Sequence, residues 1–222
     1  MGLKIIGART PFRDRLEAGR LLAGELKDGL KSKPLVLGIP RGGVVIASVV
    51  ARELKADLDA VIARKLGAPG NPELAVGAVM EGGETHLNRE IISTLGVDEE
   101  YIEEEKAQQA REITRRVSNY REARPFVPRA DRNLIVVDDG VATGATMMAT
   151  LYGLRAARPA SLWCALPVGP EDTLHELSRI ADEVICLAAP YFFQAVGQFY
   201  ERFDQVEDHE VIEILRGGRS AK

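Results

Sequence analysis

The segment at residues 134–146, LIVVDDGVATGAT, limits the fold of this chain more than any other part of the sequence. Its four apolar residues predict a buried strand, which delivers two adjacent carboxylates, Asp138 and Asp139, to the strand's carboxyl end. Small and hydroxyl-bearing residues then lead directly into a helix predicted for 145–157. Small side chains let backbone N–H groups converge on an anion, and a helix N-terminus adds partial positive charge. The segment therefore predicts a phosphate-binding loop.

This loop differs from the best-known nucleotide-binding loops. It lacks both the Gly-Lys-Ser/Thr ending of a nucleoside-triphosphate P-loop and the G-x-G-x-x-G of a dinucleotide site. Two acids beside a phosphate site are well placed to accept hydrogen bonds from sugar hydroxyls, especially where a positive ribosyl centre develops. A phosphosugar is the favoured ligand, and a glycine-rich turn with solvated acids is the alternative.

Strand and helix patterns alternate along the rest of the chain. Helices are predicted at 14–30, where Gly29 suits the end of the helix, and at 44–54, 145–157 and 171–180; strands are predicted at 34–39, 58–63, 133–137, 161–166 and 183–188. Such alternation is typical of an α/β fold with one doubly wound parallel sheet, which binds ligands at the carboxyl ends of its strands.

A second glycine-rich turn, Ile39-Pro40-Arg41-Gly42-Gly43, follows the first of these strands. Arg41 offers the forked, charge-assisted hydrogen bonds that suit a pyrophosphate, and the two glycines permit unusual backbone angles. By itself the motif favours a tight turn with a surface arginine. Its position one strand-helix unit before the acid-pair loop favours a second anion site.

Charge and cysteine content exclude several other classes of protein. The 222 residues include 29 Lys plus Arg and 33 Asp plus Glu, a net charge of -4, so no global basic field exists to hold nucleic acid or an anionic membrane. Cys164 and Cys186 lack C-x-x-C spacing, which argues against a disulfide framework or a structural zinc site. No apolar stretch approaches the roughly 18 residues of a membrane span. We expect a cytoplasmic protein.

Together the acid pair, its loop and the Arg-Gly-Gly turn resemble those of the type I phosphoribosyltransferases. Residues 63–74, ARKLGAPGNPEL, and 191–200, YFFQAVGQFY, are similar to a bacterial subgroup of predicted phosphoribosyltransferases whose acceptor is generally not established. The resemblance covers the chain from about the first core strand to its end.

The resemblance implies a role for each motif. Asp138 and Asp139 would bind the ribose hydroxyls, and through them or through water a Mg²⁺ ion, while Arg41 would bind the pyrophosphate on a strained turn. The other implied donor-binding residues are Gly42, Gly43, Ala142, Thr143, Gly144, Ala145 and Thr146. Arg64 and Lys65, at the end of the strand predicted at 58–63, are further candidates to bind the phosphates, with a pair of surface bases as the alternative.

The activity implied is Mg²⁺-dependent transfer of a 5-phosphoribosyl group from the co-substrate phosphoribosyl pyrophosphate to a nitrogen acceptor resembling a nucleobase. Ala142 stands where some family members carry an acid, which removes the obvious general acid or base from that place. Residues 167–170, PVGP, stand where 6-oxopurine enzymes carry a lysine, which argues against purine salvage. Tyr191 and Phe192 are candidates to stack on a planar base, with core packing as the alternative for each.

The expected layout is one domain over 1–222. Its core comprises 12–66 and 131–188, and the family's variable hood would lie at 189–222. The insertion at 67–130, a hairpin followed by a charged helix with a solvated face, is a candidate lid, because a ribosyl cation must be shielded from water.

Three functions fit these features. Besides transfer by a homodimer acting on small molecules, the same pocket could serve a non-catalytic sensor of phosphoribosyl pyrophosphate. Hydrolysis, or a related transfer at another phosphosugar, is the third.

Overall fold

Two sheets and seven helices are present in the residues that the structure, a computed structural model, describes: 2–27 and 33–217. The strands are β1 (Gly2–Ile5), β2 (Leu35–Gly38), β3 (Asp57–Ala60), β4 (Ala63–Ala68), β5 (Asn71–Met80), β6 (Thr85–Leu87), β7 (Asn133–Val137), β8 (Ser161–Val168) and β9 (Glu183–Ala188). The helices are α1 (Arg15–Leu26), α2 (Gly42–Leu54), α3 (Arg89–Leu95), α4 (Glu99–Ala123), α5 (Ala145–Ala156), α6 (Glu171–Ser178) and α7 (Asp208–Leu215), with a 3-10 turn at Val196–Phe199. The helix end predicted at Gly29 lies outside the described residues.

The central sheet has the strand order β1-β9-β8-β7-β2-β3, and each neighbouring pair is parallel. Side chains alternate between its faces, so Leu134 and Val136 pack with α5 and α6, whereas Ile135 and Val137 pack with α1 and α2. Helices thus cover both faces. The predicted doubly wound α/β fold is confirmed.

Two strand predictions need correction. The edge strand β1 was not expected, because its few residues are at most partly buried and show no apolar alternation. The strand expected at 58–63 ends at Ala60, and the chain then enters a second, antiparallel sheet of β4, β5 and β6. Val61 and Ile62 are buried in the link between the two sheets, so the apolar run continues where the strand does not.

A buried ionic network joins the inserted segment to the core. Arg121 on α4 donates from Nη1 to Asp59 Oδ1 at 2.7 Å and binds both carboxylate oxygens of Glu81. Asp59 is fully buried and Glu81 is 4% exposed, while Arg129 donates to the same Glu81 carboxylate. The charged helix face is exposed at the pairs Glu103–Lys106 and Glu112–Arg115 but not at Arg121, which corrects the expectation of a solvated face there.

Replacing Arg121 with alanine should destabilise the protein by about 3–5 kcal/mol, because it leaves the buried carboxylate of Asp59 without its cation. Arg115→Ala is the matched control, since the exposed pair that it breaks is worth at most about 1 kcal/mol. Urea denaturation of the two variants measures the difference. Equal losses of unfolding free energy would contradict a structural role for the network.

Candidate functional site

The loop between β7 and α5 is shaped for an anion. Gly144 has φ 72°, and a Cβ there would lie 2.6 Å from Thr173 Cγ2, so only glycine fits. Thr173 Oγ1 donates to the carbonyl of the exposed Ala142 at 2.9 Å and fixes the loop. Gly144 brings no capping side chain to α5, whose first N–H groups make only a 3.5 Å contact, from Ala145 N to Thr143 Oγ1. These N–H groups are therefore available to a phosphate.

The two carboxylates at the end of β7 lie in different surroundings. Burial, followed by the charge of Asp139, raises the pKa of Asp138 well above its usual range. Asp138 Oδ1 accepts the backbone N–H of Asp139 at 2.9 Å. Asp139 in turn has a cation partner, because Arg15 Nε donates to its Oδ2 at 2.8 Å. The charge of Asp139 is thus offset by Arg15, whereas the surroundings of Asp138 disfavour its charged form.

The Arg-Gly-Gly turn contacts this acid pair directly. A Cβ on Gly42 would overlap the carboxylate of Asp139, and one on Gly43 would lie 2.8 Å from Asp138 Oδ1. The absence of both side chains is what allows the two motifs to touch. The Pro40–Arg41 peptide bond is cis, and Arg41 Nη1 lies 3.4 Å from Glu207 Oε2.

Two cavities that share Pro40 and Arg41 surround these motifs. The larger, about 930 Å³, lies between the core and the inserted segment, and its lining includes Arg41, Arg64, Lys65, Thr143, Ala145, Thr146 and, from α4, Glu105, Gln109 and Arg115. The smaller, about 430 Å³, is lined by the acid pair and the turn together with Arg15, Pro40, Phe203, Asp204, Gln205 and Val206. Most of the predicted site residues therefore converge on one region.

Other predicted residues lie apart from both cavities. Tyr191 and Phe192 are 94% and 81% exposed, pack edge-to-face on each other, and line neither cavity. The structure does not bring these two rings together with the phosphate loop. In the hood, Asp204 lines the smaller cavity, while Arg202 lies on the surface and binds Asp14.

Sequence reasoning missed three residues that enclose the acid pair. Arg15 binds Asp139 across 124 positions of sequence, and its guanidinium lies 3.9 Å from the centre of the Phe203 ring. Tyr200 donates its hydroxyl to the Asp139 carbonyl at 2.6 Å, and burial raises the pKa of that hydroxyl. No local pattern reports contacts between the two ends of a chain, so motif reading alone could not find them.

A family model for the phosphoribosyl transferase domain matches residues 14–201. The chain belongs to the phosphoribosyl transferase family. Two curated proteins of Mycobacterium tuberculosis, both named "Putative phosphoribosyl transferase", are 42% identical to it over 204 residues, 92% of this chain and 46% of each relative. The chain thus spans about half the length of these curated relatives.

A solved structure shares the fold of this chain. The crystal structure of TT1426 from Thermus thermophilus shares 45% sequence identity with this phosphoribosyl transferase domain at a TM-score of 0.88. The match covers 93% of this chain and 98% of that chain. The predicted family, fold and transferase class of the domain are confirmed.

Metal-binding groups, the two cysteines and the apolar character of the helices were also considered in the sequence, and the structure describes each of them. No group of three or more His, Cys, Asp or Glu side chains in the described ranges could hold a metal ion by itself. Cys164 and Cys186 are free and buried, and burial raises the pKa of the Cys186 thiol to about 12. None of the helices among residues 2–27 and 33–217 has the length and apolar character needed to cross a bilayer.

Asparagine at each position of the acid pair should change stability in opposite directions. Because the folded-state pKa of Asp138 lies above the unfolded value, its charged form destabilises the fold fully above the folded-state pKa, and this penalty decreases as the pH falls from that pKa to the unfolded value. Asp138→Asn keeps the oxygen that accepts the Asp139 N–H and should raise the melting temperature by a few degrees at pH 7. Asp139→Asn removes the charged partner of Arg15 and should lower it.

Thermal unfolding of the ligand-free variants measures both shifts. The rise in melting temperature from Asp138→Asn should shrink as the pH is lowered. A fall in melting temperature equal to that of Asp139→Asn would contradict an unfavourable charge on Asp138.

Proposed function

We propose that this domain transfers a 5-phosphoribosyl group from phosphoribosyl pyrophosphate to a nitrogen acceptor and releases pyrophosphate. The observation that carries the proposal is the convergence of the phosphate loop, the acid pair and the Arg-Gly-Gly turn around two cavities that share Pro40 and Arg41. In the reaction the bond from ribose C1 to the pyrophosphate oxygen breaks, and the bonding pair leaves with pyrophosphate. The acceptor nitrogen forms the new bond to C1 and loses a proton.

Each motif binds one part of the donor in this proposal. The N–H groups at the start of α5, with the hydroxyls of Thr143 and Thr146, hold the 5-phosphate. Asp138 and Asp139 accept hydrogen bonds from the ribose hydroxyls. Arg41 exchanges its 3.4 Å contact with Glu207 for the pyrophosphate. The protein contributes mainly by positioning the donor and by stabilising charge.

The acid pair fits a Mg²⁺ ion that the substrate also holds. Magnesium binds proteins through one or two carboxylates and completes its shell with water and substrate phosphates, so a set of three protein ligands is not required. The unfavourable charge on Asp138, beside a second carboxylate, suits a cation at this place. When bound, Mg²⁺ would neutralise charge on the departing pyrophosphate. Asp138 and Asp139 would hold it through water or the ribose hydroxyls.

The acceptor is proposed to be a small nitrogen compound resembling a nucleobase. The absence of a lysine from PVGP at 167–170 argues against a 6-oxopurine. We also propose a homodimer in the cytoplasm; the family resemblance supports the first, and the free thiols of Cys164 and Cys186 support the second.

A sensor of phosphoribosyl pyrophosphate is the alternative function. Ala142, at a loop position where an acid assists proton transfer in some family members, favours it, since a sensor needs the donor site but no general acid or base. Both functions share the donor contacts, so only turnover separates them.

Arg41→Ala should weaken pyrophosphate binding about tenfold or more, because charged hydrogen bonds are worth about 1.5–3 kcal/mol. Product inhibition or calorimetry with Mg²⁺-pyrophosphate measures the loss. Arg52→Ala is the matched control, because Arg52 lies in the last turn of α2, the helix that follows Arg41, and is exposed. An inhibition constant unchanged by Arg41→Ala would remove this residue from the donor site.

Incubation with phosphoribosyl pyrophosphate, Mg²⁺ and pooled metabolites, followed by mass spectrometry, tests the function itself. Transfer gives a ribosyl 5-phosphate adduct together with pyrophosphate. Ribose 5-phosphate and pyrophosphate without an adduct would indicate hydrolysis instead. Tight donor binding with no product across a broad acceptor set would favour the sensor.

A further inference from the structure

Arg15, the first residue of α1, places its guanidinium beside the acid pair in an almost enclosed position. Its side chain is 11% exposed, and Nε donates to Asp139 Oδ2 at 2.8 Å. Nη1 donates to the Asp204 carbonyl at 2.8 Å, and Cζ lies over the Phe203 ring. A carboxylate, a carbonyl and an aromatic ring thus fix the guanidinium from three directions.

The segments that carry these partners are paired with each other. Phe12 N–H donates to the Phe199 carbonyl, and Glu201 N–H donates to the Phe12 carbonyl, both at 2.8 Å. This short parallel pairing holds the start of α1 beside the hood residues that follow β9. Arg15 and Phe203 therefore meet because the backbone brings their two segments together.

Asp139 is held at its backbone as well as at its carboxylate. Its N–H donates to Asp138 Oδ1, and its carbonyl accepts the Tyr200 hydroxyl. Its Oδ2 is bound to Arg15, and the residue lines the smaller cavity. The charge of Arg15 also offsets the repulsion between two adjacent carboxylates.

We propose that Arg15 is a positioning residue for the donor's ribose: it orients the Asp139 carboxylate so that one oxygen accepts a hydrogen bond from a ribose hydroxyl. The inference rests on the proposed function, since it needs a phosphosugar in the loop after β7. Lysine replaces it only in part, because an ammonium group keeps the charge but loses the planar fork that reaches a carboxylate, a carbonyl and a ring at once.

Calorimetry with ribose 5-phosphate and 2-deoxyribose 5-phosphate, without Mg²⁺, measures what the hydrogen bond from the ribose 2-hydroxyl to Asp139 contributes to binding. The wild-type protein should bind ribose 5-phosphate about tenfold more tightly, the worth of one hydrogen bond to a charged group. Arg15→Ala should lose this preference, as Asp139→Asn should, and keep its affinity for inorganic phosphate, which uses only the loop. Arg15→Lys should retain part of the preference, and Arg13→Ala, on the exposed neighbouring arginine, all of it.

The outcomes separate the inference from the proposed function. If wild type prefers ribose 5-phosphate and Arg15→Ala keeps the full preference, Arg15 does not position Asp139. If Arg15→Ala loses phosphate binding too, Arg15→Lys decides: normal phosphate affinity with a reduced preference supports the role, and an unchanged preference overturns it. A wild-type protein that binds phosphate but shows no preference between the sugars overturns the ribose site, and with it the proposed function.

Discussion

The contact between the Arg-Gly-Gly turn and the acid pair is the constraint on which the rest of the site depends. Strands β2 and β7 are parallel neighbours in register, with Gly38 opposite Val137, so the turns that follow them leave the sheet at the same edge. Only residues without side chains let these turns touch, because a Cβ on Gly42 or Gly43 would strike Asp139 or Asp138. The parallel sheet thus brings together the groups that, in the proposed function, bind three different parts of one donor.

The local motifs could be predicted because each is continuous in sequence and its chemistry follows from its residue types. An apolar strand followed by two acids and a glycine-rich loop predicts a phosphosugar site, because ligands in an α/β fold bind at the carboxyl ends of its strands. Arg15 could not be found in this way, since its contacts with Asp139, Phe203 and Asp204 form only when distant parts of the sequence meet. The predicted end of β3 was wrong for a different reason: Val61 and Ile62 are buried, but they lie in a connection and not in a strand.

The inserted segment forms one wall of the larger cavity and is attached to the core at several points. Arg121 binds the buried Asp59, Tyr120 donates to Asp208 on α7 at 2.6 Å, and Arg64 donates to Gln109 on α4 at 2.9 Å. A lid role for residues 67–130 stays a prediction. These attachments restrict any closing motion to parts of the insertion away from the end of α4, since moving that end would expose Asp59 without its partner.

The pairing of Phe12 with the segment after Phe199 also affects how the domain is made. During synthesis Arg15 leaves the ribosome before strands β2 to β9, whereas Tyr200, Phe203 and Asp204 follow every strand of the parallel sheet. The core strands and the phosphate loop can begin to fold before those residues emerge, but the surroundings of Asp139 cannot be completed. The ribose site that we propose is therefore completed only after these residues emerge, and a nascent chain that stops before residue 200 would carry the loop after β7 without it.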